Sequence, residues 1–308
     1  MSALAETRSG PMVVACLRIG DPRPVVDPLT GAVERDQLGI GMSPADAAAL
    51  EYALRIAEAW SGHVVAVTAA PPSADPVLRD VRALGAIVLR VTVPAPMSEP
   101  GYPDDLGGDE QELAVAIVAA LAPYGPPALV LCGDRSADRG TGALPAFLAH
   151  QLGAAQALGL VALAVTDLAG SLVAERRLDG GWRERLRVPC PAVCSVEAAG
   201  VRLRRASLTA TLAGQRVAIP VSTAGMSPHP GRIGVGPLRP FRPRTRVVPP
   251  PEGEDPRLRL LALTGALVAH DPPTVVGPVD ASAAADALLD FLQRHGYLGD
   301  PAAEPGEP

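Results

Sequence analysis

The chain has 308 residues, a formal net charge of −6, 48% hydrophobic residues and only 3% aromatic ones. That is ample material for one large or two ordinary domains with a buried core, and the acidic balance excludes the basic footprint of a nucleic-acid binder. All 27 basic residues are arginine, and with so few aromatics the core must be built from Ala, Val and Leu.

Residues 12–19 form an apolar run that predicts a first strand, ended by the turn Gly20-Asp21-Pro22. Residues 22–41 read as an irregular excursion. Ser43-Pro44 then opens a helix, with Ser as N-cap and Pro at the first helical position, and Leu50, Ala53, Leu54 and Ile56-Ala57 keep a helical stripe up to Trp60. Residues 63–69 predict a second strand, 74–84 a helix closed by Gly85, 86–93 a third strand, and 110–121 a further helix after a Pro/Gly/Asp-rich loop.

The alternation leads to residues 128–132, an apolar stretch of buried-strand length, followed by the loop Gly133-Asp134-Arg135-Ser136-Ala137-Asp138-Arg139-Gly140-Thr141-Gly142 and a helix over 143–151. A strand, a glycine-rich turn and a helix start aim backbone N–H groups and a positive helix end at one point, which suits a phosphate. Taken alone, the loop reads first as a plain strand-to-helix turn with glycine for positive φ and Thr141 as the cap, because neither G-x-G-x-x-G nor the P-loop pattern is present. Repeated strand–helix alternation predicts an α/β fold: a parallel sheet with helices on both faces. Ligands in such sheets sit beyond the carboxyl ends of strands where strand order reverses. If the first strand and the strand before Gly133 are neighbours, their following loops face one crevice.

Beyond residue 152 the pattern changes. Residues 159–165 are apolar, 172–178 alternate, Asp179-Gly180-Gly181 is a hairpin turn, 182–188 return, and 192–196 follow. Together they predict an antiparallel hairpin appendage. Residues 218–257 are rich in Pro and Arg. The helix over 280–296 has Ala284, Leu288, Leu289 and Leu292 facing inward. The expected division is therefore an α/β domain over 12–217 and an extended C-terminal arm over 218–308, suited to wrapping a partner.

Cys16, Cys132, Cys190 and Cys194 lie in or beside apolar runs and read as buried free thiols of a reducing cytoplasm rather than metal ligands. His63, His150, His229, His270 and His295 are scattered, and no Cys–His or Ser–His–Asp constellation suggests an enzyme. The uncharged run 140–166 has the length of a membrane span, but Pro145, His150, Gln151, Gln156 and several glycines interrupt it. No transmembrane segment and no secretory leader are expected.

Several pieces in order resemble one family, the beta subunit of electron transfer flavoprotein, across roughly residues 12–215. They are Val14-Ala15-Cys16-Leu17-Arg18; Met42-Ser43-Pro44; Leu129 to Gly133 with Asp138 and Thr141-Gly142; the hairpin Glu175 to Gly181 with Leu186, Val188 and Pro191-Ala192-Val193; and Arg204-Arg205-Ala206-Ser207-Leu208. The resemblance implies an adenine nucleotide alpha hydrolase-like layering of Rossmann type. It also implies a heterodimer with an alpha-like subunit that carries FAD, AMP or a second FAD in this chain, and no bond chemistry of the chain's own. Carried over residue by residue, it implies nucleotide contacts from Ala15, Ser43, Ala69, Gly133, Asp134, Arg135, Ser136, Ala137, Asp138, Gly140, Thr141 and Gly142. Leu208 becomes the apolar anchor for donor dehydrogenases.

The chain departs from the family pattern at Ser43 (Asn in the family), Leu17 (Lys), Ala69 (Cys) and Thr209 (Pro), and its nucleotide loop is shorter. These departures suggest a divergent branch, such as the subunits associated with mycofactocin in Actinobacteria. The competing reading is a stand-alone adenine-nucleotide sensor of the universal-stress type, which needs neither the hairpin nor the arm.

Overall fold

The computed structural model describes residues 10–34, 39–92, 110–137, 140–166, 170–223, 255–265 and 280–295, with single positions at 240, 242, 250, 251, 275, 277 and 297. The chain divides into two compact units, Met1–Arg242 and Pro243–Pro308.

Among the described residues the first unit holds a nine-stranded sheet. Its strands are β1 (Met12–Cys16), β2 (His63–Ala69), β3 (Ile87–Val91), β4 (Leu129–Gly133), β5 (Ala155–Val165), β6 (Ser171–Arg177), β7 (Arg183–Pro189), β8 (Ala192–Val196) and β9 (Val221–Ser222). The spatial order is β7-β6-β5-β8-β4-β1-β2-β3-β9. Every pairing from β5 through β9 in that order is parallel, and β5-β6-β7 is an antiparallel meander at one edge.

The helices are α1 (Pro44–Ala59), α2 (Asp75–Ala83), α3 (Glu110–Leu121), α4 (Leu144–Leu152) and α5 (Leu208–Gly214). One apolar cluster joins α1 and α2 to the face of β1 that carries Val13 and Ala15. A second joins α3 and α4 to the opposite face, with Val14, Cys16, Val130 and Cys132. The expected α/β fold, a parallel sheet covered on both faces, is the one formed. The high alanine content of α1, with Ala48, Ala49, Ala53 and Ala57 all buried, lets the helix lie close to the sheet.

Three local expectations change. The run 12–19 does not stay in the sheet. Leu17 donates its N–H to the Val67 carbonyl at 2.9 Å, Arg18 donates to the Asp46 carboxylate at 3.2 Å, and Ile19–Gly20 pairs instead with Gly41–Met42. The side chain of Asp46 thus takes over the donor that would have continued the ladder. Residues 22–41 include a small hairpin, Val25–Val26 against Val33–Glu34, whose turn is tied by Asp27 accepting from Leu29 N–H and the Thr30 hydroxyl at 2.8 and 2.7 Å.

The third change is β8. It is not part of the antiparallel appendage but lies parallel between β5 and β4, and all five of its residues are buried. A strand apolar on both faces belongs inside a covered parallel sheet, not at a half-solvated edge. β5 accordingly serves two neighbours: its first half pairs with β8 in parallel and its second half with β6 in antiparallel fashion.

In the second unit, α6 (Pro256–Leu263) and α7 (Ala281–Arg294) are capped by Asp255 and Asp280, which accept from Arg257 and Ala283 N–H groups at 2.8 Å each. The inward stripe expected of α7 is not buried: Ala284, Leu288 and Leu289 are exposed and Leu292 is half-buried. Two short helices offer too little surface to cover it. Among the described residues no helix is long and apolar enough to cross a membrane.

Candidate functional site

The chain runs β1–α1–β2–α2–β3 outward from the sheet centre, then returns through α3 to place β4 against the other side of β1. Strand order therefore reverses between β1 and β4, and a crevice opens beyond their carboxyl ends, as doubly wound sheets do at this point. The two strands are in register, Cys16 opposite Cys132, so both chains leave the sheet at the same height.

The cleft at this switch point is lined by Cys16, Leu17 and Arg18 after β1, Ala69 at the end of β2, and Cys132, Gly133, Arg135, Ser136, Thr141 and Gly142 around the loop after β4. Asp46 of α1, Glu110, Leu113 and Ile117 of α3, and Leu144 and Pro145 of α4 complete the wall. With the solvent at its open mouth included, the empty space is about 610 Å³.

The loop after β4 closes on itself. Ser136 donates its N–H to the Thr141 carbonyl at 2.8 Å, and Gly140 donates to the Ser136 carbonyl at 2.9 Å. Gly142 passes so near the start of the loop that a Cβ there would stand 2.6 Å from the Asp134 carbonyl oxygen, which only glycine allows. Asp134 is fixed from outside, its N–H donating to the Val196 carbonyl at 2.9 Å, and its carboxylate pairs with Arg135 at 3.1 Å. Thr141 is not the helix cap. The N-cap of α4 is Ala143, with no side-chain bond to the first turn, and the Thr141 hydroxyl donates instead to Glu110 of α3.

The floor is set by α1. Ser43 is its N-cap, accepting the Asp46 N–H at 3.0 Å and donating its hydroxyl to the Asp46 carboxylate at 2.6 Å. With Arg18 N–H on the other carboxylate oxygen, Asp46 is held at three points while only 3% exposed. Burial pushes its carboxyl up to about 6, against the opposing pull of the Ser43 and Arg18 hydrogen bonds. The bond to Cys16, followed by burial, holds the Cys132 thiol well above the ordinary thiol range. It therefore stays protonated and forms an apolar wall rather than a nucleophile. Burial likewise pushes Cys194 up to about 12. Among the described residues no group of three or more His, Cys, Asp or Glu side chains could hold a metal ion.

Of the residues expected at the site, Ala69, Gly133, Arg135, Ser136, Thr141 and Gly142 line the cleft together. Asp134, Ala137 and Gly140 belong to the same loop outside the lining set. Ser43 acts one step behind, through Asp46. Ala15 is fully buried in the cluster beneath α1, one residue short of Cys16, which does line the cleft. Asp138 lies outside the described residues. Leu208 is far from the loop in sequence and opens α5, 74% exposed.

Sequence reasoning missed Asp46 and Glu110. Asp46 carried a signal, the Ser-x-x-Asp spacing of a helix start. Glu110 carried none, since its partner Thr141 is 31 positions away.

The donor set fits an adenine nucleotide. The apolar lining of Cys16, Leu17, Ala69, Cys132 and Leu113 suits a planar ring. The Ser136 hydroxyl and the cations Arg18 and Arg135 among the lining residues suit phosphate, beside the Asp46 and Glu110 carboxylates of the same lining.

Comparison with known proteins gives the family. The model of the electron transfer flavoprotein domain matches residues 30–222, more than half of the chain. Protein FixA of Azorhizobium caulinodans is 29% identical over 216 residues, 69% of this chain and 75% of the relative. Protein FixA of Bradyrhizobium diazoefficiens is 29% identical over 196 residues, 63% of this chain and 66% of the relative. The electron transfer flavoprotein subunit beta of Thermoanaerobacterium thermosaccharolyticum is 27% identical over 169 residues, 54% of this chain and 60% of the relative. A switch-point cleft, the ordered motifs and these matches together make the chain a member of the electron transfer flavoprotein family, on its beta-subunit side.

Proposed function

We propose that this electron transfer beta-like subunit pairs with an alpha-like subunit carrying FAD, holds an adenine nucleotide (AMP or FAD) in the β1/β4 cleft, and presents Leu208 to donor dehydrogenases. The observation that carries the nucleotide reading is the convergence of Ala69, Gly133, Ser136, Thr141 and Gly142 on one crevice at the reversal of strand order.

The chain's own residues bind and orient. Gly133 keeps the wall of the cleft low beside Asp46. Ser136 offers its hydroxyl at the mouth, and Arg18 and Arg135 offer positive charge to a phosphate. The redox chemistry belongs to bound flavin, for which protein supplies position and field. No bond chemistry is assigned to this chain.

The test is co-expression with the alpha-like partner, purification, denaturation and identification of the released nucleotides. A pair that releases one FAD and one AMP, or two FADs, supports the reading. A pair that releases a single FAD and no second adenylate overturns it.

A further inference from the structure

The segment between β8 and α5 has no regular secondary structure, yet one side chain fastens it to α1. Glu51, whose side chain is 3% exposed, accepts the Arg204 backbone N–H at 3.0 Å, its Nε at 3.1 Å and its Nη2 at 3.2 Å. Glu58, further along α1, accepts from Nη2 at 3.2 Å and also from Nη1. Arg55 adds its Nε to Glu51 at 2.6 Å. Burial pushes the Glu51 carboxyl up, but the hydrogen bonds from Arg204 and Arg55 outweigh it and hold the group below the usual carboxylate range. The arrangement is multidentate and buried on its Glu51 side, with Glu58 exposed, unlike a wholly exposed ion pair of negligible worth.

A second tie follows α5. Arg79 of α2 donates Nε to the Val217 carbonyl at 3.3 Å, and Gly214 lies against the Arg79 carbonyl, which a Cβ would meet at 3.4 Å. Between the two ties, α5 turns Leu208 and Leu212 to solvent at 74% and 57% exposure. Their i, i+4 spacing places them on one face.

We propose that Arg204 is a positioning residue: clamped by Glu51 and Glu58, it fixes the entry into α5 so that Leu208 and Leu212 meet a docking dehydrogenase already ordered. The proposal rests on the docking role assigned to Leu208 above. Ordering the segment in advance removes that cost from the encounter.

The test is amide hydrogen exchange of the purified heterodimer carrying Arg204→Gln, alongside a urea unfolding curve. Expected is exchange about tenfold faster across residues 205–214, with protection of β1 and β4 unchanged and the unfolding midpoint lowered, because Glu51 keeps its burial and loses a partner. Glu58→Gln, which removes only the exposed half of the clamp, should give a smaller change confined to the same segment, and it serves if Arg204→Gln fails to fold. Unchanged protection over 205–214 in the variants overturns the proposal, as does a loss spread equally over α1 and the central strands. Leu208→Ala with unchanged donor turnover removes the docking reading, and with it the role given to Arg204, whatever the exchange shows.

Discussion

Gly133 ends β4 so close to Asp46 that a Cβ at position 133 would stand 3.1 Å from the carboxylate Oδ1 and 3.2 Å from the Ala45 Cβ. The last residue of the strand therefore sets the depth of the cleft, and the first turn of α1 forms its floor. Gly133→Ala is expected to push that turn outward by a few tenths of an ångström, costing about 1–3 kcal/mol as an overpacked contact does. Nucleotide retained by the purified heterodimer should fall while far-UV circular dichroism is unchanged; full retention would remove the depth argument.

Asp46 gives the chain a pH signature. Its folded value of about 6 lies above the ordinary 3.8, so the native state holds the proton more tightly than the unfolded chain. The penalty is fully present above pH 6 and is relieved as pH falls from about 6 towards 4, a span worth about 3 kcal/mol. Urea unfolding of the nucleotide-free chain and of its Asp46→Asn variant, each at pH 7.5 and 4.5, reads this directly. The unsubstituted chain should gain stability relative to the variant on acidification. Glu51 works the opposite way, its lowered carboxyl losing stabilisation only at still lower pH, and it cancels because both proteins carry it. A difference that does not change with pH would contradict the assignment.

Thr141 and Glu110 close the mouth between the loop and α3. Both are on or near the surface, so Thr141→Val should alter stability by no more than about 0.5 kcal/mol. It should nevertheless lower nucleotide occupancy, because the hydroxyl that ties the loop to Glu110 of α3 is lost. Occupancy measured by chromatography of the denatured heterodimer checks it, and an unaltered adenylate content would exclude Thr141 from the site.

Leu208→Ala removes an exposed side chain that touches no core cluster. Its unfolding midpoint should be unchanged, whereas electron delivery should weaken through a higher KM, with kcat and nucleotide content preserved. The donor probe is a dehydrogenase that, reduced by its own substrate, passes electrons to the unsubstituted heterodimer.

The sheet was legible because its strands are apolar runs separated by helical stripes, and the cleft was legible because Gly133 and Thr141-Gly142 bracket a loop between strand and helix. What escaped the sequence depended on register and on distant partners. Ala15 and Cys16 look equivalent in a run of small apolar residues, but alternation sends one beneath α1 and the other to the cleft. β8 follows a hairpin and reads as its continuation, although Ala192, Val193, Cys194 and Val196 already suit a strand covered on both faces. The Arg204 clamp joins positions 153 apart, beyond any local pattern. Asp46 is different: its spacing from Ser43 was visible, and only its place beside Gly133 shows that the cap faces the cleft.

The central claim is that an adenylate sits between Cys16, Ala69 and the loop from Gly133 to Gly142. The most direct measurement is photolabelling of the heterodimer, stripped of nucleotide, with 8-azido-AMP, followed by peptide mapping with and without excess AMP or FAD. The account predicts label on peptides containing Cys16 to Arg18, Ala69 or Cys132 to Gly142, suppressed by the competitor. Label confined to other peptides, or label on these that no competitor removes, would contradict it.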